Sequence, residues 1–377
     1  MSGPSAIVVG AGALGVATAD ALARRGWAVT VLERYAPANA RGSSGDRTRL
    51  LRLGHGEWDE ATDLWYVRSA ARGIALWQEL AEEESADLLQ RTGLAWFARS
   101  HDGIEATVQR RLEQVGAACE RLAPDAAREL FEDVETGDLA FVLHEPEAYV
   151  IRAGAAVETL LRRARRHGAR LLLDDARPDG PGRARLASGG VLEADHVVWA
   201  CGAWLGALLP GDAPVRPAWQ DVLHWNGAPA WRGGPAWIDA GEEGGMGTYG
   251  FPDVDGLGVK AVTHVPGPAF DLDHDERIPR ARSIAELSAY VGHRFPALRD
   301  SGLLWARVLP YEMTPDGHFV AGPSRELERH WVLGGGSGHA FKHAPALGEH
   351  VAGLLEGSAA VVPFHAPGPR GPHPPGR

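Results

Sequence analysis

The first clear pattern in the chain is AIVVG, Ala6–Gly10, an apolar β-branched run without alternation. It predicts a strand covered on both faces. From Ala11 to Arg25 the spacing becomes helical, with Leu14, Ala17, Ala21 and Leu22 on one face, and Gly26 stops the helix. Ala28–Arg34, AVTVLER, reads as the next strand and ends at an acid, Glu33. Further helices are predicted over Asp63–Glu83, Gly103–Gly116, Asp125–Asp133 and Ser283–Pro296. Strands are predicted over Thr92–Ala98 and Ala169–Asp175, and a pair of strands over Tyr249–His264. Ala148–Gly168 joins a strand to a helix, and His196–Trp204 is a buried strand running into a glycine turn. His330–Gly357 returns to strand, glycine-rich turn and helix. A unit that opens the chain and recurs so late predicts an α/β domain that is interrupted and resumed.

Composition narrows this picture. A chain of 377 residues exceeds the size at which one core keeps growing, so two domains are expected. The net charge of −11 argues against nucleic acid as main partner, because a phosphate backbone needs a basic face. Two cysteines, Cys119 and Cys201, give no disulfide framework and fit a reducing cytoplasm. No signal peptide is read at Met1, and no apolar run of about 18 residues predicts a membrane span. The tail Ala366–Arg377, APGPRGPHPPGR, is expected to be disordered, and no metal site is expected, at His373 or elsewhere.

The chemistry begins with Gly10, Gly12 and Gly15, which form G-x-G-x-x-G between the first strand and helix. In this setting the first glycine makes a tight turn, the second admits a pyrophosphate and the third lets helix meet strand. The helix start offers unpaired N–H groups to the phosphates. Glu33 stands where an acid receives ribose hydroxyls, which disfavours a 2′-phosphate and so NADP. The motif alone does not separate FAD from NAD.

Five blocks in order extend the reading: VVGAGALG, GSSGDRTRLLR, VVWACGAW, GFPDVDGLGVK, and TPDGHFVAG followed by GGSGHAFKHAPALGE. Together they resemble the D-amino-acid-oxidase-like flavoprotein superfamily, most closely its monomeric sarcosine oxidase and N-methyltryptophan oxidase group, over nearly the whole chain. The resemblance implies FAD, and a Rossmann-like FAD domain of the glutathione-reductase type beside a mostly antiparallel α+β substrate domain. On that reading residues 1–85, 146–213 and 315–365 form the FAD domain, 86–145 and 214–314 the substrate domain, and 366–377 the tail.

The resemblance also implies roles. Arg52 and Lys342 match a clamp for a substrate carboxylate, which a guanidinium can hold by two parallel hydrogen bonds. Lys260 matches a lysine beside the flavin that promotes reaction with O2, where a fixed cation stabilises superoxide. Arg49 matches an arginine near the flavin; Tyr249, Tyr311 and His264 match residues of the substrate cavity. FAD contacts are expected from Gly10, Gly12, Ala13, Leu14 and Gly15, from Glu33 and Arg34, and from Ser43, Ser44 and Arg49. Gly202, Trp204, Gly336, Gly338, His339 and Lys342 complete that set. Two departures stand out. Leu309 occupies the place of the family's flavin-linking cysteine, so FAD is expected without a covalent bond, and Gly45 stands where some relatives carry a histidine. Trp219, Trp225, Trp237 and Trp305 fall in the substrate segments, most of them suited to core packing. The implied activity is oxidation of an N-methyl or cyclic amino acid to an imine, with O2 giving hydrogen peroxide, by a cytoplasmic monomer. The alternatives are a same-fold dehydrogenase using another acceptor and a biosynthetic oxidase of a ring-bearing amino acid.

Overall fold

The computed structural model describes residues 3–131, 133–227, 229–241 and 247–372. Ser5–Val9 runs inside a six-stranded sheet, parallel to Ala28–Glu33 on one side and to His196–Trp199 on the other. Arg170–Leu173 and His330–Gly334 extend the sheet outwards in parallel, and Val320–Pro323 closes one edge antiparallel. Ile7 and Val8 are both buried, as a run covered on both faces requires.

The glycine turn then leads into the helix Ala13–Arg24. Gly10 has φ +107°, and a Cβ there would stand 2.3 Å from the Ala200 carbonyl oxygen. A Cβ on Gly15 would stand 1.9 Å from the Gly10 carbonyl oxygen. Only glycine permits this approach of helix to strand. The helix is buried from Ala13 to Ala23, between Ala153–Arg166 and Ala344–Leu355. Its one buried acid, Asp20, accepts two hydrogen bonds from Arg163, at 3.0 and 2.7 Å. Gly348 brings the third helix so close that a Cβ would lie 2.5 Å from the Ala17 carbonyl carbon.

A second, eight-stranded sheet takes its strands from 94–145 and 216–313. It is antiparallel apart from Ala236–Asp239 beside Leu94–Ala98. This is the α/β architecture with a mostly antiparallel second layer that the sequence implies. A three-stranded sheet, Thr48–Leu51, Tyr149–Arg152 and Leu89–Arg91, lies outside both large sheets. Leu89–Arg91 thus pairs away from the large antiparallel sheet, although it falls within the segment 86–145. Among the described residues no helix is long and apolar enough to cross a membrane.

Several elements differ from expectation. Among the described residues of the segment Asp125–Asp133, helical structure is limited to a 3-10 turn, Pro124–Glu129. The long strands Arg216–Trp225 and Leu303–Met313 carry no legible alternation; the first is buried from Ala218 through Trp225, and prolines interrupt both. The expected disordered tail needs correction over 366–372. Arg370 donates to the Asp316 carboxylate and to the carbonyls of His318 and Ala366, and the Gly368 N–H donates to the Asp212 carbonyl at 2.7 Å. A Pro/Gly segment docks when its few polar groups find partners. His373 lies outside the described residues.

The Gly348–Ala17 contact yields a test. Gly348→Ala should lower the thermal midpoint by several degrees, since forcing a methyl into packed backbone costs about 1–3 kcal/mol. An unchanged melt would show that the two helices can part freely.

Candidate active site

Two neighbouring cavities, about 170 and 200 Å³ in volume, share the walls Ala13, Leu14, Ser43, Ser44 and Glu312. The larger follows the glycine turn. Gly10 and Gly12 line it from the turn after the first strand, Glu33 and Arg34 from the end of the second, and Gly202 and Trp204 from the turn after His196–Trp199. Gly12 is the N-cap of the first helix and has no side chain to cap it; the Ala13 N–H donates instead to Ser44 Oγ at 3.0 Å. Glu33 is buried and accepts from the N–H groups of Ala11 at 2.7 Å and Tyr35 at 2.9 Å. Burial pushes its carboxyl up, and these hydrogen bonds oppose the shift. Arg34 pairs with Asp273 at 3.1 Å and with Asp175 at 3.6 Å. Gly15 lines neither cavity; it serves the packing described above.

The second cavity gathers the other expected residues. Arg52, Lys342, Tyr249, Tyr311 and His264 all line it, as do Arg49, Gly336, Gly338 and His339. Arg52 is buried, lies over the Trp96 ring at 4.9 Å, and approaches Glu57 at 3.6 Å; its Nη1 has no hydrogen-bond partner. Lys342 is buried and donates to the His339 carbonyl at 3.2 Å. Burial, then the Arg52 charge, hold its ammonium well below the usual lysine range. The Tyr249 and Tyr311 hydroxyls meet at 3.0 Å, and burial holds both phenols above their ordinary range. His264 stands edge-on to Tyr249, with Nδ1 unpaired, and burial followed by Arg52 brings its pKa down to about 4.

Lys260 lies behind this cavity rather than on its wall. It is buried in Val259–Thr263, over the Phe251 ring at 4.5 Å, and donates to Asp46 Oδ2 and to the Thr48 carbonyl. Asp46 also accepts from Arg49 at 2.7 Å, and Arg307 approaches at 3.7 Å. Despite burial, Lys260 and Arg49 hold the Asp46 carboxyl far below its usual range. Burial lowers Lys260 to about 8, and Asp46 limits the fall. The sequence reading missed Asp46, whose one signal is an acid set beside the basic run RTR. It also missed Glu57, Trp96 and Glu312. Glu312 has an unpaired Oε2, and burial raises its carboxyl to about 7. None of these three stands in a recognisable motif.

The FAD dependent oxidoreductase family matches residues 5–354 of this chain. The chain belongs to the FAD-dependent oxidoreductase family. Over 95% of its length this oxidoreductase is 28% identical to N-methyl-L-tryptophan oxidase of Salmonella newport (strain SL254), of which 97% is covered. Two solved structures share its fold. One is L-proline dehydrogenase from P. horikoshii, with TM-score 0.81, 24% identity, and 96% of this chain and 95% of that one covered. The other is NikD, an amino acid oxidase essential for nikkomycin biosynthesis, with TM-score 0.81, 22% identity, and 97% and 98% covered.

The residues present fit FAD. The glycine cradle at Gly10 and Gly12 opens on the larger cavity, Glu33 lines it beside the Ala11 N–H, and the buried Ser43 Oγ and Trp204 Nε1 lack partners. At the family's linkage position this oxidoreductase presents Leu309 to the smaller cavity. Cys201 lines the larger one, where burial holds its thiol protonated, and it faces the Val9 carbonyl at 3.5 Å. Acid precipitation should therefore leave the yellow colour in the supernatant. Flavin retained in the washed pellet would reveal a covalent attachment through another residue.

Proposed function

We propose that this oxidoreductase is an amine oxidase that takes a carboxylate-bearing secondary amine, an N-methyl or cyclic amino acid, to an imine with non-covalent FAD, and passes the electrons to O2 to give hydrogen peroxide. The observation that carries this is Arg52 Nη1, buried and unpartnered in a cavity shared with Lys342. Arg52 and Lys342 in one cavity, among Trp96, Tyr249 and Phe251, suit an anionic group attached to an apolar body. The similarity to N-methyl-L-tryptophan oxidase supports a substrate of this class. Action as a monomer in a reducing cytoplasm belongs to the same proposal, in keeping with two free cysteines.

When bound, FAD supplies a two-electron acceptor for the hydride released from the substrate carbon. The chain's own residues do the rest. Arg52 and Lys342 hold the carboxylate and so fix where the reacting C–H lies; positioning of this kind contributes roughly 7–11 kcal/mol. A carboxylate arriving beside Lys342 would also restore the ammonium that burial disfavours. The amine must be neutral to release hydride. The clamp cations favour that form, while the aromatic walls favour the cation. Neither tyrosine is a base at neutral pH, since burial keeps both protonated. Lys260, Arg49 and Arg307 outnumber Asp46, which leaves net positive charge behind the cavity to stabilise superoxide. A same-fold dehydrogenase is the second reading, favoured by the likeness to L-proline dehydrogenase; a biosynthetic oxidase is the third, favoured by NikD.

Arg52→Ala should retain flavin and weaken a carboxylate inhibitor by an order of magnitude or more, since a charge-assisted hydrogen bond contributes roughly 1.5–3 kcal/mol. Unchanged inhibitor binding would remove Arg52 from the clamp. A panel of sarcosine, N-methyltryptophan, pipecolate, proline and glycine, read by peroxide release, tests the substrate class.

Lys260→Met should leave anaerobic flavin reduction nearly intact and slow reoxidation by about 10²–10³. Because Lys260 has a pKa of about 8, its charge is present below that pH and lost above it. Asp46 is held ionised far below this range, and a guanidinium does not deprotonate in it. The reoxidation rate of the unaltered enzyme should therefore fall as pH rises through 8, and that of Lys260→Met should stay flat. Stopped-flow absorbance follows both steps, and normal reoxidation in the variant would favour the dehydrogenase reading.

A further inference from the structure

Behind the clamp, three histidines from two distant segments converge. His55 follows the strand Thr48–Leu51, His339 lies in the glycine-rich turn, and His343 ends the 3-10 turn Phe341–His343. His55 and His343 are fully buried. One ring nitrogen of each lies within 4.8 Å of the others, and the ring centroids are 5.6, 5.6 and 6.0 Å apart.

Their hydrogen bonds settle which nitrogens are available. His55 Nδ1 faces Glu57 Oε2 at 3.2 Å, and His339 Nε2 faces the Gly317 carbonyl at 3.0 Å. Carboxylate and carbonyl oxygens only accept, so both of these nitrogens carry the proton. His55 Nε2 and His339 Nδ1 are then bare lone pairs. His343 Nδ1 meets Ser69 Oγ at 3.0 Å, which leaves its Nε2. All three remaining nitrogens are buried without a partner.

We propose that His55, His339 and His343 bind one divalent transition-metal ion of the zinc class. Three imidazoles, each oriented through its second nitrogen by a carboxylate, a carbonyl or a hydroxyl, are the usual donor set for such an ion. For nitrogens at most 4.8 Å apart, a central ion lies no more than about 2.8 Å from each, so shifts of about 0.7 Å reach a Zn–N bond of about 2.0–2.1 Å. Burial keeps the rings neutral, the form that ligates; His55 falls to about 3. Lys342 and Arg52 face the cluster and oppose a cation, and Glu57 offsets them. Aromatic rings of Trp58, Tyr66 and Phe319 surround it. The site rests on its own geometry, and of its three ligands only His339 also lines the substrate cavity.

The test uses untagged, flavin-loaded full-length protein dialysed against EDTA and titrated with Co2+, followed by visible ligand-field absorption and by competition with Zn2+. One Co2+ per chain is expected, with affinity reduced at least about a hundredfold in His343→Ala and about 10–100-fold in Ser69→Ala, which keeps all three ligands. Flavin content and melting point report whether the variants are folded; if His343→Ala loses its fold, Ser69→Ala and the unaltered protein decide. Absence of saturable uptake by the unaltered protein would overturn the proposal and leave a bridging water as the occupant. Equal uptake by folded His343→Ala, or unchanged affinity in Ser69→Ala, would overturn it as surface binding. None of these readouts depends on turnover, so a failed substrate panel leaves the result unaffected.

Discussion

The candidate site depends on one buried carboxylate. Asp46 accepts from Lys260 and Arg49, and Arg307 stands within ion-pair reach. These partners come from three separate strands, Val259–Thr263, Thr48–Leu51 and Leu303–Met313. No one of these cations would rest comfortably beside the other two in a low dielectric without it. Removing one partner of such a buried pair commonly costs 3–5 kcal/mol, because the others are left uncompensated. Asp46 therefore ties two strands of the eight-stranded sheet to the small three-stranded one, on the wall of the smaller cavity.

Much of the first sheet was legible because its residues obey local rules. The run Ala6–Val9, the glycines and Glu33 encode strand, turn and acceptor within 28 residues, Ala6 to Glu33, and each is needed where it falls. The long strands Arg216–Trp225 and Leu303–Met313 were not legible. Their burial comes from sheet neighbours distant in sequence, so alternation is lost. Thr48–Leu51 hid for a different reason: it lies in a run of arginines that looks solvated, and only the fold shows Arg49 anchored on Asp46.

The site shows the same division. Residues in or beside the sequence blocks, such as Arg52, Lys342 and Tyr249, line one cavity. Partners that exist only by juxtaposition escaped notice: Asp46 under Lys260, Glu57 beside Arg52, and the histidine cluster drawn from positions 55, 339 and 343. Their chemistry resides in distances between segments, and single-sequence periodicity carries no such information.

The order of strands in the first sheet has a consequence for biosynthesis. Ser5–Val9 leaves the ribosome ahead of the strands it pairs with, for it sits between Ala28–Glu33 and His196–Trp199, and His330–Gly334 lies beyond. The helix that packs on Ala13–Arg24, Ala344–Leu355, is translated later still. At a translation rate of about 5–20 residues per second, the apolar strand and its alanine-rich helix wait many seconds for their partners. During that interval the nascent chain presents an unfinished parallel sheet, the kind of surface that chaperones shield.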